Sequence, residues 1–149
     1  MTTPKGILLI GVGNTIKSDD GIGAYICSCI HSMQLPGVRV LTVHQLDSTL
    51  MEDLVASGII IIADACVEDT NVSFLKLNAG GPAGVTSPHY MSAALLMQMT
   101  KLIHNIELPL YVCSVAGYDF STGEQLSDRA KKNADKAVSI ISTWIKDNS

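Results

Sequence analysis

The sequence predicts an α/β fold, in which a doubly wound, mostly parallel sheet of about five strands has helices on both faces. Two short runs, residues 7–10 and 59–63, are apolar at every position, as strands buried on both sides of a parallel sheet are. Segments with helical spacing of apolar residues follow such runs, so strand and helix signals alternate along the chain. With 149 residues and no repeat or linker, the chain is expected to form a single domain over residues 1–149.

The first half of the chain contains three predicted strands. The run at 7–10 leads into a glycine-rich loop and then into a helix, whose apolar residues recur through 22–33 at steps of three and four. Residues 38–43 alternate in polarity, which suits a less buried strand. Ser48 is expected to cap a short helix, and the central strand that follows is expected to end at Asp64.

The second half adds two strands and two helices. Residues 72–77 alternate as an edge strand does, and a glycine-rich loop at 78–84 follows. Ser87, which precedes a proline, indicates the start of a helix. Residues 110–115 read as the fifth strand, and Ser127 is expected to cap the last helix. The helix after Ser87 is expected to bury a stripe of large apolar residues: Met91, Leu95, Met99, Leu102 and Ile103.

Composition argues against several kinds of partner. The formal net charge is -4 and the ten Lys and Arg residues are scattered, so no nucleic-acid partner is expected. No apolar stretch approaches the roughly 20 residues that span a bilayer, and the first residues lack a signal-peptide pattern. We therefore expect a cytoplasmic monomer with no membrane association, whose four cysteines are reduced thiols.

Two acids and a histidine are the candidate functional residues. Asp20 follows the first strand, Asp64 ends the central strand, and His89 opens the helix after the glycine-rich loop. Because parallel strands end at one edge of a sheet, where α/β proteins bind ligands, the three side chains are expected to meet in one accessible pocket. Oxygen and imidazole ligands suit nickel, zinc, iron or manganese. A helix N-terminus also keeps an imidazole neutral, which is the state that a metal ligand requires.

Each candidate also has an ordinary structural interpretation. An acid in a strand-to-helix loop is often a turn former or a helix cap, and a histidine near a helix start is often a cap or a surface residue. The sequence leaves open whether His44 or Asp19 joins the site. No serine-nucleophile motif is present, and Gly11-Val-Gly13 lacks the third glycine of a dinucleotide fingerprint, so nucleotide binding is not supported.

Three blocks of the sequence resemble those of the [NiFe]-hydrogenase maturation endopeptidases. The blocks are Gly11-Val-Gly-Asn-Thr-Ile-Lys-Ser-Asp-Asp-Gly-Ile-Gly23, Ile62-Ala-Asp-Ala65 and Ser87-Pro-His89, in the family's order and approximate spacing over nearly the whole chain. The resemblance implies an aspartyl-type endopeptidase that removes the C-terminal extension of a hydrogenase large-subunit precursor after nickel insertion. It further implies that Asp20, Asp64 and His89 contact the nickel. Some family members have glutamate where this chain has the shorter Asp20.

The three candidate residues and the lack of a conventional nucleophile suggest a mechanism. The protease would hold no permanent metal, and the nickel would be supplied by the precursor, whose cysteines already bind it. Asp20, Asp64 and His89 would complete or sense that coordination, while the metal polarises the scissile carbonyl and a carboxylate activates water. Two other classes stay open: a self-contained metallohydrolase and a metal-sensing chaperone that does not cut its partner.

Overall fold

Five strands and four helices make up the described part of the protein. The computed structural model describes residues 5–67, 71–77 and 88–148, and of residues 88–90 it describes the main chain only. Short 3₁₀ turns at Ser18–Gly21 and Ser48–Leu50 precede the first two helices. In chain order the elements are β1 (Ile7–Val12), α1 (Ile22–Ser32), β2 (Val38–Val43), α2 (Met51–Val55), β3 (Ile59–Cys66), β4 (Val72–Lys76), α3 (Pro88–His104), β5 (Leu110–Ala116) and α4 (Asp128–Asn148).

The strands form one sheet with the order β2-β1-β3-β5-β4. The first four of these are mutually parallel, and the edge strand β4 runs antiparallel to β5. Val12 at the end of β1 is in register with Val43 of β2 and with Asp64 of β3, so the parallel strands reach the same edge together. The mostly parallel α/β fold that the sequence predicts is confirmed.

Each face of the sheet has its own apolar core, because side chains alternate along every strand. Helices α1 and α4 cover one face, where Leu9 and Ile61 pack against Ile26 and Ile141. Helices α2 and α3 cover the other face, where the core includes Ile10, Leu54, Ile62 and Leu96. Burying one such side chain contributes roughly 1.5–3 kcal/mol, so the two cores hold the helices firmly on the sheet.

Helix α1 lies unusually close to the sheet because its first turn contains Gly23. A Cβ atom at this position would lie 2.7 Å from the carbonyl oxygen of Ala63 and 2.7 Å from the amide nitrogen of Val12. No side chain fits there. The start of α1 therefore rests on the main chains of β1 and β3.

The predicted buried stripe of α3 is wrong. Leu95 is 56% exposed and Leu102 is 85% exposed, and Met91 and Ile103 are exposed as well. The helix instead buries the side that carries Ala93 and Leu96. Large apolar residues occur on nearly every side of this helix, so their spacing does not decide its rotation. Its small alanines allow closer approach to the sheet than the large residues would.

Two smaller predictions also need correction. Ser48 does not cap the short helix α2: the 3₁₀ turn that leads into α2 is capped by Asp47, whose carboxylate accepts a hydrogen bond from the Thr49 amide, and α2 itself has no side-chain cap. Strand β3 does not end at Asp64 but continues to Cys66. Ser127 does act as a helix cap, because its hydroxyl accepts a 3.3 Å hydrogen bond from the Ala130 amide.

Several other predictions concern parts of the chain beyond these ranges. The glycine-rich loop at 78–84 and the Ser87 cap lie outside the described residues. Among the described helices, none combines the length and the apolar character needed to cross a membrane.

Candidate functional site

Asp20 lies in the 3₁₀ turn between β1 and α1, at the carboxyl edge of the sheet. One of its carboxylate oxygens accepts a 2.7 Å hydrogen bond from the Asn14 amide. Gly13 makes this arrangement possible, since its φ of +142° is a conformation that side chains disfavour. A Cβ atom on Gly13 would lie only 2.0 Å from the Asp20 carbonyl oxygen. The loop thus fits closely around the first candidate acid.

Asp64 lies near the end of β3, with Val12 of β1 on one side and Ser114 of β5 on the other. Ile60 and Ile62 of the same strand face the core under α2 and α3. Because side chains alternate, Asp64 lies on that same face. Its side chain is buried, with 3% exposure, so the prediction of an accessible acid is wrong for Asp64. The Ser18–Gly21 turn packs directly against β3, which brings the two acid-bearing segments together.

His89 falls in the first turn of α3, and its side chain lies outside the described residues. Helix α3 ends at His104, and β5 begins a few residues later at the amino edge of the sheet. The C-terminal end of α3 therefore lies near the amino edge, and the helix runs in the direction opposite to the parallel strands. Its first turn therefore points toward the carboxyl edge, on the face of the sheet that carries Asp64. The meeting of the three side chains stays a prediction.

Asp19, the neighbour of Asp20, has a very different environment. It is fully buried, at 0% exposure, and accepts four hydrogen bonds from the loop between β5 and α4. The donors are the amides of Tyr118, Asp119 and Ser127 and the hydroxyl of Ser127, at 2.7–2.8 Å. Burial by itself raises the pKa of Asp19, but these hydrogen bonds outweigh it and hold the pKa below its ordinary value. Asp19 is therefore a structural anion rather than a ligand-facing one.

Sequence reasoning missed this partnership with the β5–α4 loop. Ser127 is recognisable in the sequence as a helix cap, but nothing in the pattern links it to an acid 108 residues earlier. The only signal in the sequence was that Asp19 and Asp20 are adjacent. Neighbouring side chains in a turn point in different directions, so the two acids need not share one environment.

The remaining histidines are less favourably placed. His44 follows β2 and is exposed; the carbonyl of the preceding Val43 accepts a hydrogen bond from the Gly13 amide. His31 and His104 are exposed near the C-terminal ends of α1 and α3. Among the side chains that the structure describes, no three His, Cys, Asp or Glu residues lie close enough together to hold a metal ion. That finding does not include the His89 imidazole.

Two kinds of cavity lie near the sheet edges. A polar groove of about 570 Å³ at the carboxyl edge runs between the Asp20 turn, α1 and the start of α4, and its lining includes Thr15, Tyr25, Glu124 and Lys131. An apolar cavity of about 160 Å³ lies at the opposite, amino edge, between α2 and α3, and includes Leu54. Only the first of these borders the segment that carries a candidate acid.

The fold and the site define an α/β protein in which two acid-bearing segments, the Ser18–Gly21 turn and β3, pack together at the carboxyl edge of a parallel sheet, the position at which such sheets bind ligands. No family model matches the sequence. A protein of Methanocaldococcus jannaschii that is named as a hydrogenase maturation protease is 28% identical over 150 residues, which cover 95% of this chain and 97% of the relative.

Solved structures share the fold. The [NiFe] hydrogenase maturation protease HybD of Thermococcus kodakarensis has a TM-score of 0.78 at 21% identity, covering 94% of this chain and 99% of its own. The hydrogenase maturating endopeptidase HybD of E. coli has a TM-score of 0.79 at 20% identity, covering 97% and 94%. The resemblance to the hydrogenase maturation proteases that the sequence predicts is confirmed by these comparisons, and the proteins so named are peptidases.

Proposed function

We propose that this chain is an endopeptidase that removes the C-terminal extension of a [NiFe]-hydrogenase large-subunit precursor after nickel has been inserted. The observation that carries the proposal is the packing of the Asp20 turn against β3, which bears Asp64, at the edge toward which the first turn of α3 points. The names of the similar proteins support the reaction class. We further propose that the reaction takes place in the cytoplasm and that the protease acts as a monomer.

The donor set fits nickel that arrives with the substrate. Two carboxylates and one imidazole are acceptable ligands for nickel but too few to saturate it, which leaves coordination positions for the cysteines of the precursor. Asp64 is buried, so its attraction for a cation is less screened than that of a surface acid. The first turn of α3 favours a neutral His89, which can donate its lone pair. On this proposal the protease distinguishes loaded from empty precursor by the cation itself.

The chemistry is the addition of water across one peptide bond. Substrate-bound nickel supplies electrophilic polarisation of the scissile carbonyl. One of the two carboxylates, Asp20 or Asp64, takes a proton from water as its oxygen bonds to the carbonyl carbon, and the C–N bond then breaks. The leaving amine receives the proton. The outcome is a mature large subunit with a new carboxylate and a released peptide.

The decisive experiment compares nickel-loaded with nickel-free precursor, using mass spectrometry of the large subunit as the readout. The wild-type protein should shorten only the loaded precursor. Asp64→Asn and His89→Ala should fold and leave both forms uncut, because each removes one of the three groups. His44→Ala is the matched control, since it removes an exposed imidazole near the same edge and should process loaded precursor normally.

Other outcomes of the same experiment would replace the proposal. If the purified protein retains stoichiometric metal and cleaves small peptides without a hydrogenase, it is a self-contained metallohydrolase. If it binds loaded precursor selectively but leaves its mass unchanged, it is a metal-sensing chaperone. Normal processing by the Asp64 or His89 variant would remove that residue from the mechanism.

A further inference from the structure

The two adjacent acids of the first loop have separate structural surroundings. Asp20 accepts one hydrogen bond, from the Asn14 amide, and remains partly exposed. Asp19 accepts four hydrogen bonds and has no exposed surface. Both of its oxygens are used: the Ser127 amide bonds to Oδ1, and the other three donors bond to Oδ2. Asp19 therefore has no capacity to approach a substrate, although it is bonded covalently to a residue that can.

We propose that Asp19 is a positioning residue, which fixes the Asp20 carboxylate at the sheet edge by tying the Ser18–Gly21 turn to the β5–α4 loop. This inference rests on the proposed function of Asp20. It adds a residue that acts on the reaction only through its neighbour, and it gives the loop at 117–127 a part in the same site.

Main-chain and side-chain hydrogen bonds of Asp19 and of the preceding Ser18 also join the turn to the β5–α4 loop, so the turn has little freedom to rotate. The Asp19 amide donates to the Asp119 carbonyl at 2.8 Å, while the Asp119 amide donates back to the Asp19 carboxylate. Ser18 donates from its amide to the Gly123 carbonyl and from its hydroxyl to the Ser121 carbonyl, both at 2.8 Å. Asp20 follows directly, so its direction is set by the turn that these contacts hold.

A graded pair of variants with a matched control tests the proposal. Asp19→Asn replaces one accepting oxygen by an NH₂ group, which then faces donors, so the turn should loosen. Ser127→Ala is milder, because it removes one hydroxyl and keeps the Ser127 amide. Leu54→Ala is the control: it leaves a void in the core at the amino edge, where it destabilises the protein without touching the turn. All three are assayed well below their melting temperatures.

Two readouts separate positioning from general stability. In processing of nickel-loaded precursor, kcat should fall about tenfold or more for Asp19→Asn and by a smaller factor for Ser127→Ala, with KM nearly unchanged. Leu54→Ala should keep the wild-type kcat. The second readout needs no substrate: hydrogen exchange of the Asn14 amide, which bonds to Asp20, should speed up in the Asp19 and Ser127 variants alone.

The results distinguish the possible failures. If kcat falls in proportion to the melting temperature in all three variants, including Leu54→Ala, then Asp19 is only a stabilising residue and the proposal is overturned. An Asn14 amide that keeps its wild-type exchange rate in Ser127→Ala and Asp19→Asn would overturn it too. If the wild-type protein cuts no precursor, the proposed function fails, while the exchange rates still decide whether Asp19 holds Asp20.

Discussion

Replacing Gly13 by alanine should nearly abolish processing of the precursor while leaving the protein folded. Gly13 has a φ of +142°, and a Cβ atom added there would lie 2.0 Å from the carbonyl oxygen of Asp20. Real Cβ atoms do not approach other heavy atoms within 3.0 Å, so the main chain of Asp20 would have to move about 1 Å away from position 13. The displaced residue is the candidate acid itself.

The size of the effect follows from that displacement. A misplacement of about 1 Å at a reacting group costs about 100-fold in rate, which corresponds to about 2.7 kcal/mol of transition-state stabilisation. The unfavourable backbone conformation adds roughly 1–3 kcal/mol to the cost of folding. A protein of ordinary stability would survive that loss. We therefore expect kcat to fall about 100-fold and the melting temperature to fall by roughly 2–12 °C.

Gly37→Ala provides a closely matched control. Gly37 also has a positive φ, +74°, but a Cβ atom added there would meet nothing within 4 Å. It should lower the melting temperature by a similar amount and leave kcat intact. The assay is the rate at which nickel-loaded precursor loses its extension, with thermal unfolding measured in parallel. If Gly13→Ala processes precursor as fast as Gly37→Ala, the steric link between Gly13 and Asp20 has no functional consequence.

Two further predictions concern stability. Burial raises the pKa of the Cys27 and Cys113 thiols to about 12, so both stay protonated where cysteines of the unfolded chain ionise, near pH 9. Their contribution to stability is complete below that pH and is lost as the pH rises, by about 1.4 kcal/mol per thiol per pH unit. Urea unfolding from pH 8 to 10.5 measures this slope, and Cys27→Ala should make it shallower; an unchanged slope contradicts the assignment. On α3, Leu96→Ala should lower the free energy of unfolding by about 2–5 kcal/mol, whereas Leu95→Ala should change it by less than about 0.5 kcal/mol. Equal losses would contradict the observed rotation of the helix.

The strand pattern of this protein was predictable because its strands are chemically distinct. The two apolar runs that became β1 and β3 have no polar face, and such runs have few alternatives to the middle of a parallel sheet. The rotation of α3 was not predictable in the same way. Apolar residues surround the helix, so its orientation depends on how closely Ala93 and Leu96 fit the sheet, which periodicity does not report.

The candidate site was predictable only in part. The positions of Asp20 and Asp64 follow from where β1 and β3 run, and parallel topology alone brings them to one edge. Which of two neighbouring acids would be buried depends on hydrogen-bond donors from a loop about 100 residues away. Sequence spacing carries no information about such a contact. The burial of Asp64 likewise depends on tertiary packing rather than on the apolar run before it.

The contact at Gly23 has a consequence for the evolution and engineering of this site. The start of α1, which directly follows the turn that carries Asp20, contacts the main chains of β1 and β3 at Gly23 without an intervening side chain, so the distance between α1 and the strand that carries Asp64 is set by main-chain atoms. Substitutions elsewhere in the apolar core can therefore be absorbed by repacking without altering that distance. Any side chain larger than hydrogen at position 23 would instead push the start of α1 away from β1 and β3, and it would thereby increase the distance between the segment that carries Asp20 and the strand that carries Asp64.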